Sequence, residues 1–348
     1  AVSRGRFSRN VVQGIEGNQG PYRLKGSENE LFIIILSGTE RVYIDGRLLK
    51  RGKEYDYVID YNAAEITFTA NRLITKDRRI VVEFQYAERS YARSLLQTGA
   101  KYQKQNWKAF FDVYSEQDSK NQSLQQDLSP ADRAFLSTLG DDLNNALIPR
   151  LDSVPFSEAF VLYAIRDSLG YDSVFVFSNN PVNAKYQVSF TRVSLGQGDY
   201  VQDEFSANGR IFRWVAPDTL NGNVIHKGDY VPGILLITPK SQQMYSAGVR
   251  YGKKENSWAA VEGALSRKDL NTFSSLDKQD DVGGSFRAHG THAFRLNEDP
   301  RPTELITAGL VEYTSADFKF IERYRPVEFE RNWNISNEEL LADQLQLQ

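Results

Sequence analysis

Apolar and polar residues along the chain alternate with a period of two far more often than with the helical period, which predicts strands. The clearest stretch runs from Leu31 to Tyr86. Short β-type runs there are separated by turn signals every ~8–12 residues, the pattern of an antiparallel sandwich. Asp45-Gly46 lies between Val42-Tyr43-Ile44 and Leu48-Leu49 and suits a two-residue type I′ hairpin. Tyr57, Ile59 and Tyr61 alternate with Val58 and Asp60, and Ile66 and Phe68 with Thr67 and Thr69, so Asn62–Glu65 reads as a second hairpin link. Ile80, Val82, Phe84 and Tyr86 are assigned to one face of a further strand, and Val81, Glu83 and Gln85 to the other.

Residues 1–19 read as an extended lead-in and 20–90 as the β-sandwich module. Residues 91–150 read as a β-hairpin plus a helical insertion. Leu96, Ala100 and Tyr102 share one strand, and Asn106 turns the chain into Trp107, Ala109, Phe111 and Val113. Ser129-Pro130-Ala131-Asp132 then predicts a helix start, with Ser as N-cap, Pro in the first turn and Gly140 as a stop. Residues 151–240 form a second β region, with strands expected at 160–165, 173–177, 185–192, 210–215 and 234–237. Gly198-Asp199-Tyr200-Val201 recurs as Gly228-Asp229-Tyr230-Val231, and each copy reads as a strand-opening turn whose Tyr packs inward. Residues 241–335 read as an antiparallel β-meander that includes 305–313 and 318–323. Ser336-Asn337-Glu338-Glu339 resembles a capping box, which predicts a short C-terminal helix within 336–348.

The meander carries a second pattern. Tyr245, Ala247, Val249 and Tyr251 share one face, and Ser246, Gly248, Arg250 and Gly252 the other. Strands of this kind match the ~9–11 residues of a membrane-spanning strand. Periodicity leaves a large water-soluble sheet with one wet face open as well. The expected fold class is therefore mainly β: an N-terminal antiparallel β-sandwich followed by long antiparallel strands, an outer-membrane barrel portion or barrel-associated sheet, with two short helices.

Composition narrows the functional classes. The 348 residues leave room for two or three domains. With 42 basic against 45 acidic side chains, no net field favours nucleic acid. The absence of cysteine removes disulfides, thiolate metal sites and cysteine nucleophiles. The longest apolar run, Ala159–Ile165, is far below the ~20 residues of a membrane helix, a limit that does not apply to barrel strands. Ala1-Val2-Ser3-Arg4 is not a signal peptide, and the chain reads as a processed product or an excised fragment.

Candidate chemistry is sparse. His289 and His292 are three apart, which on a strand sends them to opposite faces, and His226 is remote from both. Gly248–Lys254 lacks the spacing of a phosphate loop, and a charged hairpin tip explains it. Adjacent acids at Asp141-Asp142, Asp280-Asp281 and Glu338-Glu339 are poor acid/base pairs on strands. Asp277, Asp280 and Asp281 in one loop have oxygen donors for calcium but not the ordered ligand spacing, so solvated loop charge is the expectation. Trp214, Trp258 and Trp333 are candidates for glycan contact, core packing or an interfacial girdle. No catalytic, cofactor-binding or metal residue is assigned, and no cofactor is expected.

Several stretches carry a resemblance. GNQGPYRLKG at Gly17–Gly26, LSGTERVYIDG at Leu36–Gly46, RGKEYDYVIDYNAAEITFT at Arg51–Thr69 and LITKDRRIVVEFQY at Leu73–Tyr86 are the clearest. FRWVAP at Phe212–Pro217, DYVP at Asp229–Pro232 and RPVEFERNWN at Arg325–Asn334 extend it. On these residues the chain resembles a family of large, mostly uncharacterised outer-membrane β-barrel and cell-surface proteins of Bacteroidota. The first module is locally similar to a segment of the type 9 secretion translocon. Relatives carry Gly in place of Ala64 and Pro in place of Ala70. The resemblance implies a non-enzymatic outer-membrane or cell-surface β protein with a structural, assembly or transport-related role. Its partners would be outer-membrane lipid or other outer-membrane proteins, on the cell surface or the periplasmic face. The alternative is a secreted or surface-tethered binding module that recognises glycan or a protein partner.

Overall fold

The computed structural model describes residues 5–27, 30, 33–87, 90–124, 126–143, 146–193, 196–206, 209–220, 223–253, 257–298, 303–335 and 342–348. The chain is mainly β and divides into two compact units, one built from Ala1–Asp141 and Thr238–Gln348 and the other from Asp142–Ile237.

The first unit opens with a sandwich. Its strands are β1 (Arg6–Gln13), β2 (Tyr22–Arg23), β3 (Ile34–Ile35), β4 (Arg41–Ile44), β5 (Arg47–Leu48), β6 (Tyr57–Asp60), β7 (Glu65–Phe68) and β8 (Arg79–Ala87). One sheet runs β1-β8-β4-β5 with β3 also on β8, and the other runs β2-β7-β6. Between them lie Leu24, Ile35, Val42, Ile66, Phe68, Ile80, Val82, Phe84 and Tyr86, all buried. The inward face of β8 is the alternation read from sequence. Its other face is also covered: Val81 packs with Tyr43 and Val327, and buried Glu83 pairs with Arg323 at 3.0 Å.

Two hairpins set the register. Asp45 and Gly46 both adopt positive φ, 49° and 79°, as a type I′ turn requires. In the β6–β7 link, Asp60 Oδ1 accepts from the amides of Asn62 and Ala63, and Ala64 sits buried at φ 54°. The lead-in is corrected: Arg6–Gln13 is a strand, paired along its whole length with β8. On its inward face only Val12 is apolar and packs on the core, while Ser8 and Asn10 before it are polar and interrupt the hydrophobic signal. Ser8 Oγ donates to Lys25 O at 2.8 Å, and the Asn10 side chain both donates to Lys25 O and accepts from Lys25 N.

Next come β9 (Tyr91–Lys104) and β10 (Trp107–Ser123), then α1 (Pro130–Leu136). Ser129 caps α1 as expected: its hydroxyl accepts from Asp132 N, and Asp132 reciprocates to the Ser129 amide. Strand β10 runs on past Val113 to Ser123, through a stretch with little apolar alternation, because its inner positions there lie on the charged face of the sheet described below.

The second unit holds short strands: β11 (Leu147–Ile148), β12 (Leu151–Ser153), β13 (Tyr163–Ser168), β14 (Tyr171–Phe177), β15 (Tyr186–Val188) and β16 (Phe190–Arg192). After them run β17 (Tyr200–Ser206), β18 (Gly209–Trp214), β19 (Asp218–Leu220), β20 (Asn223–Ile225), β21 (Tyr230–Pro232) and β22 (Ile234–Leu235). They form two four-stranded sheets, β12-β15-β13-β14 and β16-β21-β17-β18, and two pairs, β11-β22 and β19-β20. The repeated tetrapeptides pair with each other. Gly198 and Gly228 exchange backbone hydrogen bonds, and Tyr200 lies opposite Tyr230. A Cβ on either glycine would sit 2.3 Å from the carbonyl oxygen of the opposite tyrosine, so the approach needs glycine on both sides. Both tyrosines are buried beside Phe212, with Phe175, Phe190 and Trp214 around them.

The first unit then resumes with β23 (Ser241–Lys253), β24 (Ser257–Asp269), β25 (Val282–Arg295), β26 (Glu304–Thr314), α2 (Phe329–Asn332) and β27 (Gln344–Leu347). These strands join β9 and β10 in one antiparallel sheet, order β27-β26-β25-β24-β23-β10-β9, curled into a half-barrel. Two expectations are corrected here. Residues 318–323 are not a strand; they belong to a segment that crosses one face of the sheet. The tail ends in β27, not in a helix, because Gln344-Leu345-Gln346-Leu347 alternates with period two and pairs with β26. The capping box at 336–339 lies outside the described residues.

Around α2 the chain is latched to the sandwich by charge. Arg9 forks onto Glu330 at 2.7 Å and donates to Val327 O, while Arg79 bridges Glu328 and Glu330 at 2.7 and 2.8 Å. Burial alone would raise the Glu330 pKa, but Arg9 and Arg79 hold it below the usual carboxylate value.

Gly46→Val forces a β-branched residue to positive φ and places its Cβ about 2.7 Å from Glu328 Cγ. The expected cost is about 1–3 kcal/mol, read as a lower denaturant midpoint of the sandwich; an unchanged midpoint would show that the turn tolerates a side chain.

Candidate functional site

The seven-stranded sheet sorts its side chains into two unlike faces, because neighbours in register share a face and successive residues do not. On one face β23 presents Tyr245, Ala247, Val249 and Tyr251. Its register carries this face onto Val113, Phe111, Ala109 and Trp107 of β10, and onto Leu265, Gly263, Val261 and Ala259 of β24. The face continues through Gly284, Phe286, Ala288 and Gly290 of β25, Val311 and Tyr313 of β26, and Leu345 and Leu347 of β27. From Tyr102 of β9 to Leu347, between Lys104 at one end and Arg267 at the other, its only ionisable group besides tyrosine is His292, among the described residues. Aromatic rings gather near its margins: Trp107 and Tyr251 lie 4.7 Å apart at one end, and Tyr245 and Tyr313 stand toward the other.

The opposite face is charged. Glu262 lies 3.7 Å from His289, and Arg287 3.9 Å from Glu312, while the Arg250 guanidinium stacks 4.2 Å over Trp258. The segment after β26 covers part of this face. Lys319 N donates to Ser266 Oγ at 2.9 Å, Phe318 backbone lies against Gly283, and Tyr324 and Arg325 both bond Glu312. The faces are thus inverted relative to a water-soluble sheet. Glu312 is 6 % exposed and Ser266 2 %, whereas Phe286 is 44 % and Leu265 56 % exposed.

A second constellation lies where α1 meets the β24–β25 loop. The helix leaves carbonyls without helical partners at its C-terminal end. Buried Asn271 donates to Leu136 O and Gly140 O, both at 2.8 Å, and Ser274 Oγ donates to Ser137 O at 2.9 Å. This splice carries Asp141 to Asp280 and Asp281, whose carboxylate oxygens with that of Asp141 all lie within 4.8 Å of one another. Burial and Asp281 push the Asp141 carboxyl up to about 6, against Lys278. Burial and Asp269 likewise raise Asp281. Asp277, grouped with the loop acids in sequence, is exposed and lies over Gly140 instead. Local spacing does not reveal the third member, because Asp141 lies far upstream in the chain.

The histidines are not brought together. His289 and His292 project to opposite faces of β25, and His226 Nδ1 pairs with Asp199 at 2.7 Å in the other unit. Trp258 lies on the charged face, Trp214 packs against the Tyr200 cluster, and Trp333 is exposed. Gly248–Lys253 belongs to β23.

Residues 7–88 match a family model described as Domain of unknown function (DUF8818). That span is the sandwich, from within β1 to just past β8, and ties β1 to the module rather than to a lead-in. No curated protein and no solved structure matches the chain.

Asp141 is ionised in the fold only at higher pH than in the unfolded chain. Its contribution to stability is therefore full below about pH 4 and is lost as pH rises through about 6. With chelator present, Asp141→Asn should gain stability relative to the parent between pH 4 and 7 when thermal midpoints are compared. A pH-independent difference would mean that Asp141 titrates normally.

Proposed function

We propose that the seven-stranded sheet is part of the wall of an outer-membrane β-barrel, and that the chain is a non-enzymatic outer-membrane protein with a structural, assembly or transport-related role. The inverted sheet carries this reading. In water an uncovered apolar face of this extent is costly, while a charged face buried under its own chain is what a barrel lumen requires. Along β25 the run from Gly284 to Phe294 is about 33 Å at ~3.3 Å per residue, or about 25 Å along the membrane normal at a tilt near 40°. That equals the apolar band of outer-membrane barrels. Aromatic residues toward both margins fit interfacial girdles. Among the described residues no helix is long and apolar enough to cross a membrane, so any crossing falls to strands. The edges at β9 and β27 require further strands, from this polypeptide or another, before the sheet can stand in lipid.

Connection length suggests an orientation, since outer-membrane barrels keep short turns in the periplasm and long loops outside. Gln105-Asn106 joins β9 to β10, 254–256 joins β23 to β24, and the longer 296–303 joins β25 to β26, at one end. At the other end the sandwich joins β9, β10 ends, β23 begins, and the long connections 270–281 and 315–343 are found. The sandwich then faces the cell exterior.

In lipid vesicles, Val261→Arg should lower unfolding stability by about 2–4 kcal/mol, the cost of a cation near the bilayer midplane. In a water-facing sheet the same exposed change stays within about 0.5 kcal/mol. A small effect, together with monodisperse behaviour of the full chain without detergent, would overturn the membrane reading and favour a soluble binding module.

The absence of native cysteine makes the orientation measurable. On intact cells a membrane-impermeant maleimide should label Lys53→Cys in the sandwich and leave Gln105→Cys unlabelled until the outer membrane is opened. The reverse pattern would invert the assignment.

A further inference from the structure

The acidic group at the α1–loop splice has a feature that solvated loop charge does not explain. Asp281 is 2 % exposed, and neither of its carboxylate oxygens has a hydrogen-bond partner among the described residues. A buried carboxylate normally receives several donors, and leaving one without them is costly. The nearest cation is the Lys278 ammonium, 3.7 Å from Asp281, and Lys278 is already bound at 2.8 Å by Asp269. One Asp141 oxygen is buried without a partner as well.

The charges around these oxygens do not balance. Asp141, Asp269, Asp280 and Asp281 act on one another against Lys278 and Arg267, an excess of two negative charges. No histidine or other soft ligand takes part. A cluster of carboxylate oxygens with a divalent deficit selects a hard cation. The three oxygens lie within 4.8 Å of one another, so one ion can touch all of them, and three carboxylates in an irregular set suit the flexible shell of calcium better than the octahedron of magnesium, which usually takes one or two.

We propose that Asp141, Asp280 and Asp281 bind a calcium ion. The ion would supply the partner that the buried Asp281 oxygens lack, with water completing a shell that three carboxylates leave open. It would also fasten the end of α1 to the β24–β25 loop, which Asn271 and Ser274 hold only by neutral hydrogen bonds. Asp141 is the last residue before the chain passes into the second unit, so the ion anchors the point of departure. The ligands lie outside the apolar band, and the site does not depend on what covers that face.

The test uses the full chain, stripped with chelator and titrated calorimetrically with Ca²⁺ and, separately, Mg²⁺. One equivalent of Ca²⁺ should bind with a Kd between about 10⁻⁵ and 10⁻³ M, from the weak limit of sensor sites to extracellular modules. Mg²⁺ should bind at least tenfold more weakly. At tenfold excess over Kd, Ca²⁺ should raise the thermal midpoint by about 2–4 °C. Asp281→Asn, nearly isosteric, and Asp141→Asn should each weaken binding at least tenfold, while Asp172→Asn on β14 leaves it unchanged. Absence of Ca²⁺ binding by the parent would overturn the site and leave a proton-sharing carboxyl cluster. Binding that survives both variants, or equal affinity for Mg²⁺, would overturn the assignment.

Discussion

Each residue of a strand is committed to one of two faces, and in the seven-stranded sheet that commitment governs everything else. Glu262, Arg287, His289 and Glu312 share one face, and Val249, Val261, Phe286 and Val311 the other. A slip of one residue between any two strands would drive charge into the apolar face along the whole ladder. The charged face can then be packed only if its groups find partners. Tyr324 and Arg325 on Glu312, and Lys319 on Ser266, are that packing. The segment that supplies them goes on into α2, where Glu328 and Glu330 meet Arg79 and Arg9. The lining of the sheet and the latch on the sandwich are one continuous piece of chain.

Much of this is legible in the amino-acid sequence, and the parts that are not share a cause. Asp45-Gly46, the Ser129 capping box and the faces of Tyr245–Tyr251 are readable because each signal is local and chemically specific. Strand β1 is hidden because Ser8 and Asn10 point inward and satisfy themselves on Lys25, so the alternation of hydrophobicity that marks a strand is interrupted. Strand β27 is hidden by its brevity and by the capping-box pattern that precedes it in the sequence. The segment 318–323 alternates like a strand, yet its Phe318 and Lys319 are spent on the sheet face and leave its backbone without a ladder partner. Of the acidic group, Asp280 and Asp281 are legible as neighbours in one loop, but Asp141 is not, since it reaches them only where Asn271 bridges a helix end to that distant loop.

The repeated Gly-Asp-Tyr-Val stretch shows what a short repeat can mean when it is too short to define a fold. The two copies are opposed halves of one contact, in which each glycine clears room for the other copy's tyrosine carbonyl. A side chain at either glycine would part both strands at once. The distinct partners of the two aspartates, His226 for Asp199 and Arg192 for Asp229, leave the contact asymmetric in charge.

One consequence of the topology concerns time rather than shape. Strands β10 and β23 are hydrogen-bonded neighbours, yet residues 124–240 separate them in the chain. The β9–β10 hairpin can close in microseconds, but its next partner must be brought in across that insertion. Pairings of such long range lift contact order and slow folding. Throughout the delay β10 offers Trp107, Phe111 and a free strand edge to any other chain nearby. The insertion has its own aromatic core around Tyr200, Phe212 and Tyr230, and by folding first it would shorten the distance that β23 has to cover. An early-made hairpin that must wait for its neighbour is the step at which an escorting factor matters most.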